Sequence, residues 1–191
     1  MSGPTLTLPH GLLDPSRPLR PPVGPADRVR GDGPITMVIY ADFECIDCRA
    51  FHTAFNQLPD DLRSQVRQVH RHYPLVSSRP RAMQSALAVE AAHVQGAFWQ
   101  MYDRLLSVEL DRAPRALDRI AEELGIDRPR FQDDLRNRLN ADRIWAHVRS
   151  GRDSGVTGTP ALFLEGVAYQ PVVRADALEA DLRAVLAALE G

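Results

Sequence analysis

Two cysteines occur in the chain, Cys45 and Cys48, three positions apart. Two cysteines scattered at random over such a length fall at that spacing roughly one time in a hundred, so the pairing carries information. Three uses compete for it. Disulfide exchange needs a thiolate that attacks and a second thiol close enough to release the mixed disulfide, and one helical turn supplies that separation. A metal site would draw on Cys45, Cys48 and His52, which share a helical face, with His70 and His72 as further donors. Zinc normally takes four ligands, however, and no second C-x-x-C or paired-His motif follows. The third use is two inert small hydrophobes. Exchange is favoured by position: a buried strand runs into Cys45 and a helix opens there. Unpaired N–H groups and the helix dipole then favour a thiolate at Cys45.

Other chemistry-bearing residues read more blandly. His52 lies on the face of Cys48 and is expected to be a surface or capping histidine. His70 and His72 alternate on one strand face and read as structural. Trp99 and Trp145 read as core. Asp42 is expected to cap or orient the loop before the cysteines. The Thr159–Pro160 bond precedes a strand, where an X-Pro bond can be cis at little extra cost; taken alone, an ordinary trans bond is the better reading.

The elements that must position these residues follow from pattern. Residues 1–33 are rich in Pro and Gly, have neither helical nor strand period, and read as an irregular N-terminal arm. Ile35–Ala41 is a continuous apolar, β-branched run, the pattern of a strand buried on both faces. Cys45–Gln57 reads as a helix stopping before Pro59, and Val66–Tyr73 as a second strand ended by Pro74. A long helical stretch follows. It carries Met83, Leu87, Ala91 and Val94, then Phe98, Met101, Tyr102 and Leu105, then a helix from Pro114 to the stop at Gly125. Asp127 reads as the N-cap of a helix with Phe131 and Leu135, and a further helix runs through Ile144, Trp145 and Val148. After a Gly-rich loop, Ala161–Leu164 and Val167–Tyr169 form a hairpin about Glu165-Gly166. Leu178, Leu182, Val185, Leu186 and Leu189 mark a last amphipathic helix. The order is β-α-β, helices, then β-β-α, an α/β domain over 34–191 with a helical insertion at about 79–152.

Composition narrows the function classes. A 44% hydrophobic content buries a core without disulfide staples. The net charge of −2 gives no reason to expect nucleic acid or an anionic membrane as partner. All 23 basic residues are Arg, which excludes a Schiff-base or phosphate-loop lysine. No apolar run reaches the ~18 residues of a membrane span. No signal peptide is read at the N-terminus, so with Met1 as native start the expected compartment is the cytoplasm. Thiols stay reduced there, which favours a catalytic or metal-binding pair over a structural one.

Taken together, the motifs resemble the DsbA-like branch of the thioredoxin fold, including its cytoplasmic and antiporter-fused relatives. Asp42-Phe-Glu-Cys-Ile-Asp-Cys48 resembles that family's D-F-x-C-x-x-C, and Arg71-His-Tyr-Pro-Leu75 its R-H-x-P-L. Gly155-Val-Thr-Gly-Thr-Pro160, with Phe163 and Gly166, resembles its G-V-x-G-T-P loop and hairpin. Asp27-Arg-Val-Arg-Gly31 resembles a lead-in segment. The likeness spans roughly 26–190. It implies a thioredoxin-like fold with the helical stretch as inserted cap, and a thiol-disulfide oxidoreductase in which Cys45 attacks and Cys48 resolves. It further implies a cis Pro160 facing the sulfurs and a Thr159 backbone that holds substrate as an added strand. The redox-active disulfide Cys45–Cys48 would then be the sole cofactor. Partners would be protein or peptide thiols and disulfides and a redox partner not named by the sequence.

Two departures bear on tuning. Ile46 replaces the Pro that many relatives carry, and Asp47 stands where strongly oxidising relatives have His. An acid before Cys48 is expected to raise the Cys45 pKa and weaken the protein as an oxidant. Ile39 stands where some relatives have a Glu able to take the resolving thiol's proton. These departures leave open a non-catalytic peptide-binding module and, further off, a zinc-binding protein.

Overall fold

A computed structural model describes residues 12–107 and 114–190. The expected helix start at Pro114 falls at the edge of this range. The strands are β1 (Leu13–Pro18), β2 (Arg28–Arg30), β3 (Ile35–Ala41), β4 (Val66–His72), β5 (Ala161–Leu164) and β6 (Val167–Tyr169). The helices are α1 (Ile46–Asn56), α2 (Asp60–Arg63), α3 (Ala82–His93), α4 (Phe98–Ser107), α5 (Pro114–Glu123), α6 (Arg128–Arg136), α7 (Ala141–Asp153) and α8 (Ala175–Glu190). Six strands form one sheet in the order β1-β6-β5-β3-β4-β2.

At the centre, β3 pairs parallel with β4 and antiparallel with β5. A parallel neighbour needs a crossover, and α1 with α2 supplies it. Buried on both sides, β3 feeds two cores, as its unbroken apolar run predicts. Ile35, Met37, Ile39 and Ala41 join Cys48, Phe51 and Phe55 of α1 and Leu178, Leu182 and Val185 of α8. Val38 and Tyr40 face the other way, onto Val69, Val148 of α7 and Phe163. The Asp127 carboxylate accepts a hydrogen bond from the Arg130 backbone N–H, capping α6. Glu165 and Gly166 both have positive φ, which closes the β5–β6 hairpin in two residues.

One expectation fails in the arm. The described part of residues 1–33 forms β1 and β2, which pair antiparallel with β6 and β4 at opposite edges of the sheet. Both are half-buried edge strands, and β1 contains Pro15 and Pro18. Edge strands tolerate proline and need no two-faced apolar pattern, so their period is faint. Trp145 is a second departure: it is exposed on α7, whereas Trp99 packs against the core and donates to the Val29 carbonyl.

Candidate functional site

The cysteines sit where β3 delivers the chain to α1. Asp42, buried just past β3, closes a tight turn: its carbonyl accepts from the Cys45 N–H at 3.0 Å. Its carboxylate accepts from the backbone N–H of Glu44 at 2.8 Å and of Leu75 at 2.9 Å. Asp42 thus orients the loop before the cysteines and ties it to the segment after β4. Cys45 is the N-cap of α1, in extended conformation and with no side-chain cap hydrogen bond. Its sulfur therefore stands at the N-terminal end of the helix, where the Cys48 backbone N–H favours its thiolate.

The sheet brings the second loop to the same place. Tyr40 of β3 is opposite Ala161 of β5, so residues 159–160 arrive beside the end of β3. The Thr159–Pro160 peptide is cis, and the Thr159 carbonyl accepts from Cys45 Sγ at 3.1 Å. Both cysteines are free thiols. Cys45 is lowered to about 5, chiefly by a hydrogen bond from Cys48, with the Thr159 side chain and the Arg79 charge adding to it. Cys48 is pushed well above the ordinary thiol value, chiefly by burial. The two thiols thus differ by chemistry rather than access, since Cys45 is 0% and Cys48 2% exposed. Ile46, between them in sequence, is 69% exposed.

Asp47 is also exposed, and the charge that acts on Cys45 belongs instead to Arg79. The expected rise in the Cys45 pKa is therefore reversed in sign. Arg79 Nη1 donates to Asp42 Oδ2 at 3.2 Å and to Thr159 Oγ1 at 3.3 Å. Nothing in the sequence signals Arg79: it is one arginine in a polar loop, 31 residues beyond Cys48. Ile39 is buried in the same apolar cluster as Cys48, so no carboxylate occupies that place.

His52 departs from the surface reading. It is buried, with Nε2 3.0 Å from Asp103 Oδ1, and Asp103 also accepts from Arg30 at 2.7 Å. His70 and His72 do share a face of β4. His70 Nε2 lies 3.1 Å from His72 Nδ1, and His72 Nε2 lies 3.1 Å from Glu90 Oε1 of α3. Among the described residues no group of three or more His, Cys, Asp or Glu is arranged to hold a metal ion. A groove of about 440 Å³ opens along the Thr159–Pro160 loop, lined by Asp47, Gly158, Thr159, Pro160, Gln170 and Val173 among others.

A family model described as thioredoxin matches residues 25–184. The chain belongs to the thioredoxin family. Its fold is that of DsbA-like members. It is similar to a thioredoxin-like oxidoreductase from Silicibacter pomeroyi, with TM-score 0.71, 26% identity, and 88% and 95% of the two chains covered. BdbD from Bacillus subtilis matches in fold at TM-score 0.70 and 17% identity, covering 86% of this chain and 94% of that one. In sequence, the chain is 40% identical over 181 residues to the Na(+)/H(+) antiporter NhaA 3 of Salinispora tropica, covering 93% of this chain and 27% of the antiporter. The chain thus spans about a quarter of the length of that curated relative. No helix among the described residues is long and apolar enough to cross a membrane.

Proposed function

We propose that the chain is a thiol-disulfide oxidoreductase acting through Cys45 and Cys48 on protein or small-thiol substrates. The observation that carries this reading is the unequal pair: a thiol lowered to about 5 at a helix start, one turn from a buried thiol held protonated. In the reducing direction, the Cys45 thiolate attacks one sulfur of a substrate disulfide. That S–S bond breaks, a mixed disulfide forms, and the departing sulfur leaves with the electron pair and takes up a proton. Cys48 then loses its proton and attacks Cys45 Sγ, expelling the second substrate thiolate. The pair becomes a disulfide and the substrate has gained two electrons; oxidation runs the same steps backwards.

The groove beside Thr159 and Pro160 suits an extended substrate segment laid against the loop backbone. Membership of the thioredoxin family and the likeness to the Silicibacter pomeroyi oxidoreductase support the same reading. It is tested by insulin reduction and by oxidation of a reduced dithiol peptide, each with Cys45→Ser beside the unaltered protein. Turnover that vanishes in Cys45→Ser supports the proposal; an unaltered protein inert in both directions overturns it.

A second reading rests on Ile39. With an apolar residue beside Cys48, proton removal from the resolving thiol lacks a local acceptor there, as suits a module that binds an extended peptide without exchanging disulfides. Stoichiometric capture of peptide without turnover would favour it.

A further inference from the structure

Three segments distant in sequence meet at one guanidinium. Arg79 Nη1 donates to the Asp42 carboxylate before the cysteines and to the Thr159 hydroxyl in the opposing loop. The same Asp42 oxygen accepts from the Leu75 N–H, which fixes the start of the loop that carries Arg79. Thr159 in turn accepts from Cys45 Sγ through its carbonyl. Asp42 thus holds the Cys45 backbone and Thr159 its sulfur, and Arg79 is bonded to both.

The charges make this arrangement consequential. The Asp42 side chain is fully buried, so its negative charge is poorly screened and opposes a thiolate nearby. Arg79, 27% exposed, is its ion-pair partner. The remaining charged groups nearest Cys45 in sequence are Glu44 and Asp47, both acidic. The Glu44 carboxylate is held by the Arg81 backbone N–H, and Asp47 is exposed on α1.

We propose that Arg79 is the positioning residue of the dithiol: by bridging Asp42 and Thr159 it cancels the buried carboxylate and sets a fixed cation beside Cys45, and so determines how stable the Cys45 thiolate is. The inference rests on the exchange chemistry proposed above but can be read without turnover. Stabilising the thiolate stabilises the reduced pair and makes the protein a stronger oxidant. A cation in this loop does what a basic residue between the cysteines would do, with Asp47 in that place.

The test measures the Cys45 pKa, by thiolate absorbance and by iodoacetamide rate against pH, and the equilibrium of the pair with glutathione. The proteins are unaltered, Arg79→Gln, Arg79→Lys and Asp42→Asn/Arg79→Gln. Arg79→Gln should raise the Cys45 pKa by about one unit and shift the equilibrium about tenfold toward the disulfide, ~30 mV for this two-electron couple. Arg79→Lys should retain part of the effect. Asp42→Asn/Arg79→Gln should recover part of the lost thiolate stability, because it removes the carboxylate that Arg79 neutralised; a merely structural role would show no such rescue. Folded Arg79→Gln with unchanged pKa and equilibrium overturns the inference, as does a double variant no better than Arg79→Gln. If the unaltered protein fails to turn over while these shifts appear, the exchange proposal falls and the role of Arg79 stands.

Discussion

Glu90 Oε1 of α3 lies 3.1 Å from His72 Nε2 of β4, and neither side chain has exposed surface. Arg28 of β2 closes the other side of Glu90 at 2.7 Å. One carboxylate thus joins the helical insertion, the central sheet and an edge strand. Burial alone would raise the Glu90 pKa; the His72 and Arg28 partners override it and hold it at about 2. His147 lies against the same cluster, its ring stacked on His72, and is lowered to about 3, first by burial and then by the His72 charge.

These two groups set an acid limit on stability together with His70, which burial also holds well below the ordinary histidine value. Between pH 6.5 and about 3 the unfolded chain takes up a proton at His147 that the folded chain refuses. Between pH 4.5 and about 2 the same holds at Glu90. Both contributions are complete above the unfolded values and are lost as pH falls. Stability measured by urea unfolding should therefore be level above pH 6.5 and decline below it. The slope from His147 should approach about 1.4 kcal/mol per pH unit, steepening below pH 4.5. His147→Gln should remove the His147 share of the slope and leave that of His70. A curve level down to pH 4 would show that neither group is held as described.

Alkylation should separate the thiols. With Cys45 lowered to about 5, its iodoacetamide rate should stay near maximal at pH 7 and fall to half near pH 5. Cys48 should remain unlabelled until the protein unfolds, because its thiol is held protonated. Mass-spectrometric mapping after brief exposure checks this; Cys48 labelled first would reverse the assigned roles.

Asp47→His should do little. The side chain at 47 is exposed, so a charge there acts through water and salt. The Cys45 pKa should move by less than about half a unit, and by less still in 0.5 M salt. A full unit or more would restore position 47 as the main control.

Arg71→Lys should destabilise the fold. Arg71 pairs in two bonds with Asp27, donates to the carbonyls of Pro21 and Pro22, and reaches the Tyr40 and Ser150 hydroxyls. Lysine cannot reproduce that fork, and Asp27 would be left buried with a partial partner. Loss of a buried pair costs roughly 3–5 kcal/mol, and Lys should show much of it in urea unfolding. A change below about 1 kcal/mol would mean that the arm is held by other contacts.

What the sequence displayed was what packing imposes strongly. A strand buried on two faces must be apolar throughout, so Ile35–Ala41 was legible to the residue. The hairpin about Glu165-Gly166 was equally plain, because a two-residue turn restricts its residues. Edge strands carry no such demand, and β1 and β2 stayed hidden in a Pro-rich stretch. At the site, the C-x-x-C spacing and the Thr159-Pro160 loop could be found by motif. Arg79, His52 with Asp103, and the His72–Glu90–Arg28 cluster could not. Each depends on side chains from separate elements meeting in space, and local sequence holds no record of such meetings.

The placement of β1 has a consequence for the order of events on the ribosome. β1 leaves the tunnel ahead of the rest of the sheet, yet among the described residues its strand partner is β6, residues 167–169. Its neighbour β2 can dock as soon as β4 has emerged, near residue 72. For the synthesis of almost a hundred further residues, β1 must wait, with its backbone groups paired only to water. The sheet is therefore completed by the joining of its earliest and latest strands, and a nascent chain halted within the helical insertion would hold one edge finished and the other not yet made.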